Sequence, residues 1–223
     1  MIFSTSEENY IKSIFHLQQF AELVNTNALA TEMNTRAASV TDMLKKLKTK
    51  KLVQYEKYQG CKLTEVGKKV ALAIVRKHRL WELFLVDKLR FDWDSVHPIA
   101  EELEHISSEE LVNKLSDFLG NPSFDPHGDP IPDKNGKIPL LNQQCLSDIP
   151  IKKIVTISSV SNQSAQMLEM LKHYHIVLGT QIMILKKFEF DGSSEIKVIK
   201  KNVCIISEQV TKNLFVHDIQ KKK

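Results

Sequence analysis

Residues 26–63 constrain the fold more than any other stretch. Thr26-Asn27 opens a short helix from Ala28 to Met33, and the polar pair Asn34-Thr35 breaks it. From Ala37 to about Lys50, the apolar residues Val40, Met43, Leu44 and Leu47 recur on one helical face. Two short helices across a tight polar turn, the second rich in small and basic residues, form a helix-turn-helix pattern. The segments LVQYEKY and KLT then flank Gln59-Gly60-Cys61, and Tyr, Val and Leu around a central Gly predict a β-hairpin. A hairpin directly after a helix-turn-helix is a wing.

The flanking sequence completes an α+β chain. Tyr10, Ile11, Ile14, Phe15 and Leu17 give residues 5–20 a helical period, with Ser6 or Thr5 as the cap. Residues 64–90 read as a long helical stretch with room for a break near Lys77, and 94–106 and 108–119 as two further helices ended by Gly120-Asn121-Pro122. Six of the seven prolines fall between 121 and 150, which reads as an irregular loop or linker. From 151 to 218, short apolar runs alternate with turn signals around one helix, QSAQMLEMLKHY, the pattern of a small β-barrel. The tail Lys221-Lys222-Lys223 is expected to fray. The expected domains are 1–64, 65–142 and 150–218.

Charge is unevenly placed. The formal net charge is only +4, but residues 36–69 hold ten Lys or Arg against Asp42, Glu56 and Glu65. Residues 92–117 hold eight acids against Lys114 alone. A basic block followed by an acidic one suits a polyanion for the first and cations for the second. With 42% hydrophobic residues the chain has enough apolar matter for a packed core, which excludes a disordered class. No uncharged apolar run reaches about 18 residues, so no membrane span is expected. The first residues lack the pattern of a secretory signal. Cys61, Cys145 and Cys204 are odd in number and far apart, which fits a reducing cytoplasm.

A metal-ligating pattern lies in the acidic block. With a helix advancing about 100° per residue, His97, Glu101, Glu104 and His105 fall on an arc of about 100°. His78 and Glu82, at i and i+4, share a face upstream. Imidazole with carboxylate is a ligand set for first-row divalent metals, and no thiolate has useful spacing. Paired carboxylates and histidines also hold hydrolytic metals, so a metal-dependent hydrolase is the rival class. No nucleophile elbow, phosphate-cradling Gly-rich loop or HExxH motif accompanies them. A metal-independent DNA-binding protein is the third reading.

The stretches RAASVTDMLKKLKTKKLVQYEKYQGCKLTEVGKKVA, RKHRLWELFL, VHPIAEELEH and PHGDPIP occur in this order, and the resemblance they carry covers nearly the whole chain. Through them the sequence resembles the metal-dependent transcriptional repressors typified by the diphtheria toxin repressor and the manganese transport regulator. The resemblance implies an N-terminal winged helix-turn-helix, a helical dimerisation domain and a small C-terminal Src-homology-like barrel of the kind found in a ferrous-iron transport protein. It implies a primary metal site at Asn9, His78, Glu101, Glu104 and His105. At Asn9, manganese-responsive members usually carry Asp and iron-responsive ones Met. At Glu101, iron-type members carry Cys, and the harder carboxylate here points to Mn(II), with Fe(II) as the alternative. Lys12 stands where short manganese regulators have an extra carboxylate, which argues against a two-metal arrangement. An ancillary site is implied at Glu82, His97, Asp125 and His127, completed from the barrel by Asn162, Gln163 or Gln166.

The recognition helix would insert its N-terminal part into a major groove, which nominates Thr35, Arg36, Ala37, Ala38, Ser39 and Thr41 for DNA contact. Lys45, Lys46 and Lys48 would follow toward the backbone, with Lys57, Tyr58 and Lys62 of the wing on phosphates. The expected partners are double-stranded DNA with a near-palindromic site and a second copy of the chain, with neither a membrane nor a small organic substrate. Repression controlled by metal is the expected activity, and catalysis is not.

Overall fold

A computed structural model describes residues 3–140 and 142–218. The lysine tail lies outside them. Helix α1, Thr5–Leu17, has its cap one residue before Thr5 and two before Ser6, the expected caps. Ser4 is the N-cap: its hydroxyl accepts from the Glu7 backbone N–H at 3.3 Å, and the Glu7 carboxylate accepts from the Ser4 N–H at 2.9 Å. This capping box satisfies two helix-end donors at once. Helix α2, Thr26–Glu32, is capped by the Asn25 side chain, and Asn34 at φ 45° turns the chain into α3, Ala37–Thr49. Strands β1, Val53–Glu56, and β2, Gly60–Leu63, form the expected antiparallel hairpin. A bridge from Val24 to Cys61 ties the base of this wing to the segment before α2.

Helix α4, Glu65–Asp87, runs without the break anticipated near Lys77. Helix α5, His97–Leu103, is shorter than expected, and α6, Glu109–Phe118, starts at the Ser108 cap. The Pro-rich stretch contains built turns: the Asp125 Oδ1 accepts the backbone N–H groups of His127 and Asp129 at 2.8 and 2.9 Å. Strands β3, Gln144–Cys145, β4, Ile154–Val160, β5, Gln181–Lys187, β6, Ser194–Val198, β7, Val203–Ile206, and β8, Leu214–Asp218, form one antiparallel sheet in the order β3-β8-β4-β5-β6-β7. Register shifts between Ile157 and Ser159 and between Ile184 and Lys186 bend β4 and β5 around their core, as a small Src-homology-like sheet requires. Helix α7, Ala165–His173, is the expected one, capped by Ser164. A second short helix, α8, Glu208–Lys212, was not anticipated, although Ser207 supplies its cap.

The chain divides into two compact units. One comprises the residues up to Trp81, Ala100–Asn121 and Ile131–Ile138; the other comprises Glu82–Ile99, Pro122–Pro130 and the residues from Pro139 onward. The first has a core of Ile11, Ile14, Leu29, Val40, Leu44, Leu47, Leu52 and Ile74. The second packs Ile157, Leu168, Ile182, Ile184, Ile196, Leu214 and Val216. Among the described residues no helix is long and apolar enough to cross a membrane.

In the first unit, Glu7 joins α1 to the end of α3. Its carboxylate lies 2.6 Å from Lys50 Nζ and 3.3 Å from Lys46 Nζ. Burial by itself would raise its pKa, but Lys50, the Ser4 N–H and Lys46 overcome that and lower it from 4.5 to about 2. Because the folded value is depressed, this stabilisation is fully present above pH 4.5 and is lost as pH falls through about 2. We expect Glu7→Gln to cost about 1–2 kcal/mol at pH 7, since solvent screens the part-exposed Lys46 and Lys50, and to flatten the acid side of the stability profile, as measured by urea unfolding at stepped pH.

Candidate metal centre

Acidic and imidazole groups gather within each unit. In the first, α1 contributes Glu8 and Lys12, one turn apart and so on one face. Helix α4 contributes Lys77 and His78. Glu101 lies on α5, and Glu104 and His105 follow its last turn, where the Glu104 N–H still bonds the Ala100 carbonyl at 2.9 Å.

Glu104 is the centre of this cluster and is fully buried. Its Oε2 lies 2.6 Å from His78 Nδ1 and 2.9 Å from Lys12 Nζ, and its Oε1 lies 2.7 Å from the same ammonium. Lys12 also reaches Glu101 Oε1 at 2.9 Å. Burial raises the Glu104 pKa, but His78 and Lys12 outweigh it and hold the carboxyl below its ordinary value. His105 points Nδ1 at Glu8 Oε2, 2.5 Å away, and its Nε2 lies 3.8 Å from Glu104 Oε1. Lys77 Nζ lies 3.8 Å from Glu8 Oε1.

The structure thus brings together His78, Glu101, Glu104 and His105 of the expected primary set. Asn9 is half-buried, and among the described residues no hydrogen bond joins its side chain to them. Glu8, one position earlier, is the acidic group of α1 that reaches the cluster. The signal for it lay in helix geometry: Glu8 is four residues from Lys12 and shares its face, whereas Asn9 is turned about 100° from Glu8. Three carboxylates and two imidazoles fit a hard or borderline divalent cation. Glu104 Oε1 sharpens that fit, because it is buried with no hydrogen bond of proper geometry beyond its ion pair.

The second cluster holds Glu82, His97, Asp125 and His127. Ligand atoms of Glu82, Asp125 and His127 all lie within 4.8 Å of one another, and all three residues are buried. His127 Nε2 lies 2.9 Å from the Trp93 carbonyl, which only accepts, so Nε2 carries the proton. Nδ1 then faces Glu82 Oε2 at 3.8 Å. The Trp93 ring stacks on the imidazole, centroids 5.6 Å apart. Burial disfavours the His127 imidazolium, but Glu82 and Asp125 outweigh it and raise its pKa. His97 bonds Glu82 Oε1 at 3.2 Å from an exposed position. Gln163 bonds Asp129 at 3.0 Å, Gln166 is exposed, and Asn162 accepts from the Ser164 N–H at 3.0 Å.

The nominated nucleic-acid residues form an open face on the first unit. Thr35, Arg36, Ala37, Ala38 and Ser39 are all exposed. Arg36 occupies the N-cap of α3 without a side-chain cap bond, which leaves the first helix N–H groups available to an acceptor. Thr41 bonds back to the Ala37 carbonyl at 3.0 Å, and Lys45 pairs with Asp42 at 3.1 Å. At the wing tip, Tyr58 is 93% exposed at φ 70°, with Lys57 Nζ 4.9 Å from its ring centre. Other lysines expected to face phosphates also have partners in the protein: Lys46 meets Glu7, and Lys48 donates to the Tyr55 carbonyl at 2.9 Å. Lys62 lies 3.4 Å from Glu22.

Three family models match in chain order. The DNA-binding domain of iron-dependent repressors matches 2–61, their metal-binding and dimerisation domain 64–133, and the FeoA domain 144–218. A solved manganese-dependent transcriptional repressor in complex with manganese is 30% identical, with a TM-score of 0.86 over 96% of this chain and 100% of that one. The manganese regulator SloR is 29% identical, with a TM-score of 0.76 over 95% and 98%. The iron-dependent repressor IdeR of Mycobacterium tuberculosis is 31% identical over 125 residues, 56% of this chain and 54% of IdeR. The chain thus spans about half the length of that curated relative. An uncharacterised helix-turn-helix transcriptional regulator of Methanocaldococcus jannaschii is 35% identical over 52% of this chain and 94% of its own length.

Proposed function

Because this chain belongs to the family of iron- and manganese-dependent transcriptional repressors, we propose that it is a metal-activated repressor, with Mn(II) as its effector and no catalytic role. The observation that carries this reading is the buried Glu104 cluster, which draws on α1 of the winged-helix segment and on α4 and α5. Glu8, His78, Glu101, Glu104 and His105 are the residues that would hold the ion, which would supply a cross-link between those helices. The all-oxygen and nitrogen donor set favours manganese over softer metals, while iron-dependent relatives make Fe(II) the alternative effector.

The residues of α3 and the wing then do the reading. Ala37, Ala38 and Ser39 are small enough for close approach to base edges, and Arg36 and Thr35 offer donors there. Lys57 and Tyr58 lie out on the wing, within reach of phosphate. Two copies of the chain would present two such heads to successive major grooves of a near-palindromic site. Coupling between metal and DNA is reciprocal and typically amounts to about 1–3 kcal/mol.

The deciding measurement is a DNA-binding titration of the full chain with Mn(II), Fe(II), Zn(II) or chelator, alongside metal stoichiometry. Tightening by Mn(II) above the others supports the reading. Equal affinity in chelator and in every metal removes it, and a preference for Fe(II) replaces the effector. Lys57→Ala should weaken binding to all sequences alike and reduce the slope of log affinity against log salt by about one, read by fluorescence anisotropy.

A further inference from the structure

Lys12 puts a positive charge inside the cluster read above as a cation site. Its ammonium lies within hydrogen-bond distance of Glu101 Oε1 and of both Glu104 oxygens, and its side chain is only 11% exposed. These are oxygens that an incoming cation needs. Resting on the reading of this cluster as a metal site, we propose that Lys12 and a divalent ion exclude each other at the Glu101 and Glu104 carboxylates. Lys12 is then a tethered competitor that sets how much free metal the chain requires.

Charge and reach both support the exchange. Three carboxylates, Glu8, Glu101 and Glu104, share this cluster with the ammonium groups of Lys12 and Lys77. Removing Lys12 frees one more negative charge for a divalent ion. Two cations sharing the same carboxylate oxygens repel strongly where little water screens them. An ammonium on a flexible four-carbon stem can withdraw, which a rigid guanidinium does less readily. The same ammonium by itself links α1 to Glu101 and Glu104. Metal therefore replaces one cross-link by another, and the gain on loading is the difference between them.

The test compares Mn(II) binding to the full-length wild type, Lys12→Met and Glu104→Gln, with free Mn(II) read by electron paramagnetic resonance and metal-free melting by circular dichroism. Lys12→Met should bind Mn(II) roughly tenfold more tightly while its metal-free form melts at a lower temperature. A folded Lys12→Met with unchanged or weaker Mn(II) affinity overturns the inference. If Met at this position prevents folding, Lys12→Gln decides on the same criterion. Glu104→Gln separates the two levels. Loss of a bound ion in that variant supports the site itself, and unchanged stoichiometry overturns the site and the inference together.

Discussion

Glu104→Gln is expected to leave a folded protein whose DNA affinity no longer responds to Mn(II). The side chain keeps its shape, and its amide oxygen can still accept from Lys12. The loss is the negative charge at the one fully buried carboxylate of the cluster, where His78 and Lys12 converge. Lys12 retains its bond to Glu101, so the cost in stability should be about 2 kcal/mol, below the roughly 3–5 expected when a buried charge is stranded. A neutral amide is a much poorer ligand than a carboxylate, so the metal-dependent gain in DNA affinity, roughly 5–150-fold for typical coupling, should vanish. Anisotropy titrations of labelled operator DNA in Mn(II) and in chelator measure it. The same metal-dependent gain in variant and wild type would show that Glu104 plays no part in the response.

Gly67→Ala is expected to give the largest loss of stability. Gly67 sits in the first turn of α4, and an added Cβ would come within 2.0 Å of the Leu52 carbonyl oxygen and 3.2 Å of a Leu63 methyl. That carbonyl cannot swing aside. It accepts from the Thr64 N–H at 3.0 Å, and the Thr64 hydroxyl in turn accepts from the Gly67 N–H at 3.0 Å. Alanine recovers about 1 kcal/mol of helix propensity, but the clash with backbone at the base of the wing costs more. A net loss of about 3 kcal/mol should lower the melting temperature by roughly 6–12 °C. It should also weaken DNA binding, because the wing and α4 must separate to make room. An unchanged melting temperature would mean that the wing base yields without cost.

Much of the fold was legible because its signals are local. The turn at Asn34, the hairpin around Gly60 and the apolar stripe Val40, Leu44, Leu47 each state a backbone conformation or a buried face within a few residues. Element ends were less legible. Ser4 caps α1 through a reciprocal bond with Glu7, and Ser6 or Thr5 would have served equally by composition. Helix α5 ends at Leu103, short of Glu104 and His105; His97 bonds Glu82, and Glu104 meets His78.

Ligand-bearing residue types at helical spacing determined that imidazoles and carboxylates would gather where they do, and the small, basic helix before a hairpin determined the reading head. What only the tertiary structure decided is which group completes each gathering. Glu8 rather than Asn9 faces His105, and Lys12 lies among the acids of the cluster. Gln163 turns to Asp129, and Glu7 takes up two lysines of α3. The physical reason is that the rotation of one helix against another, about 100° for each residue of offset, follows from packing over long sequence separations. Spacing within a single segment carries no record of that rotation.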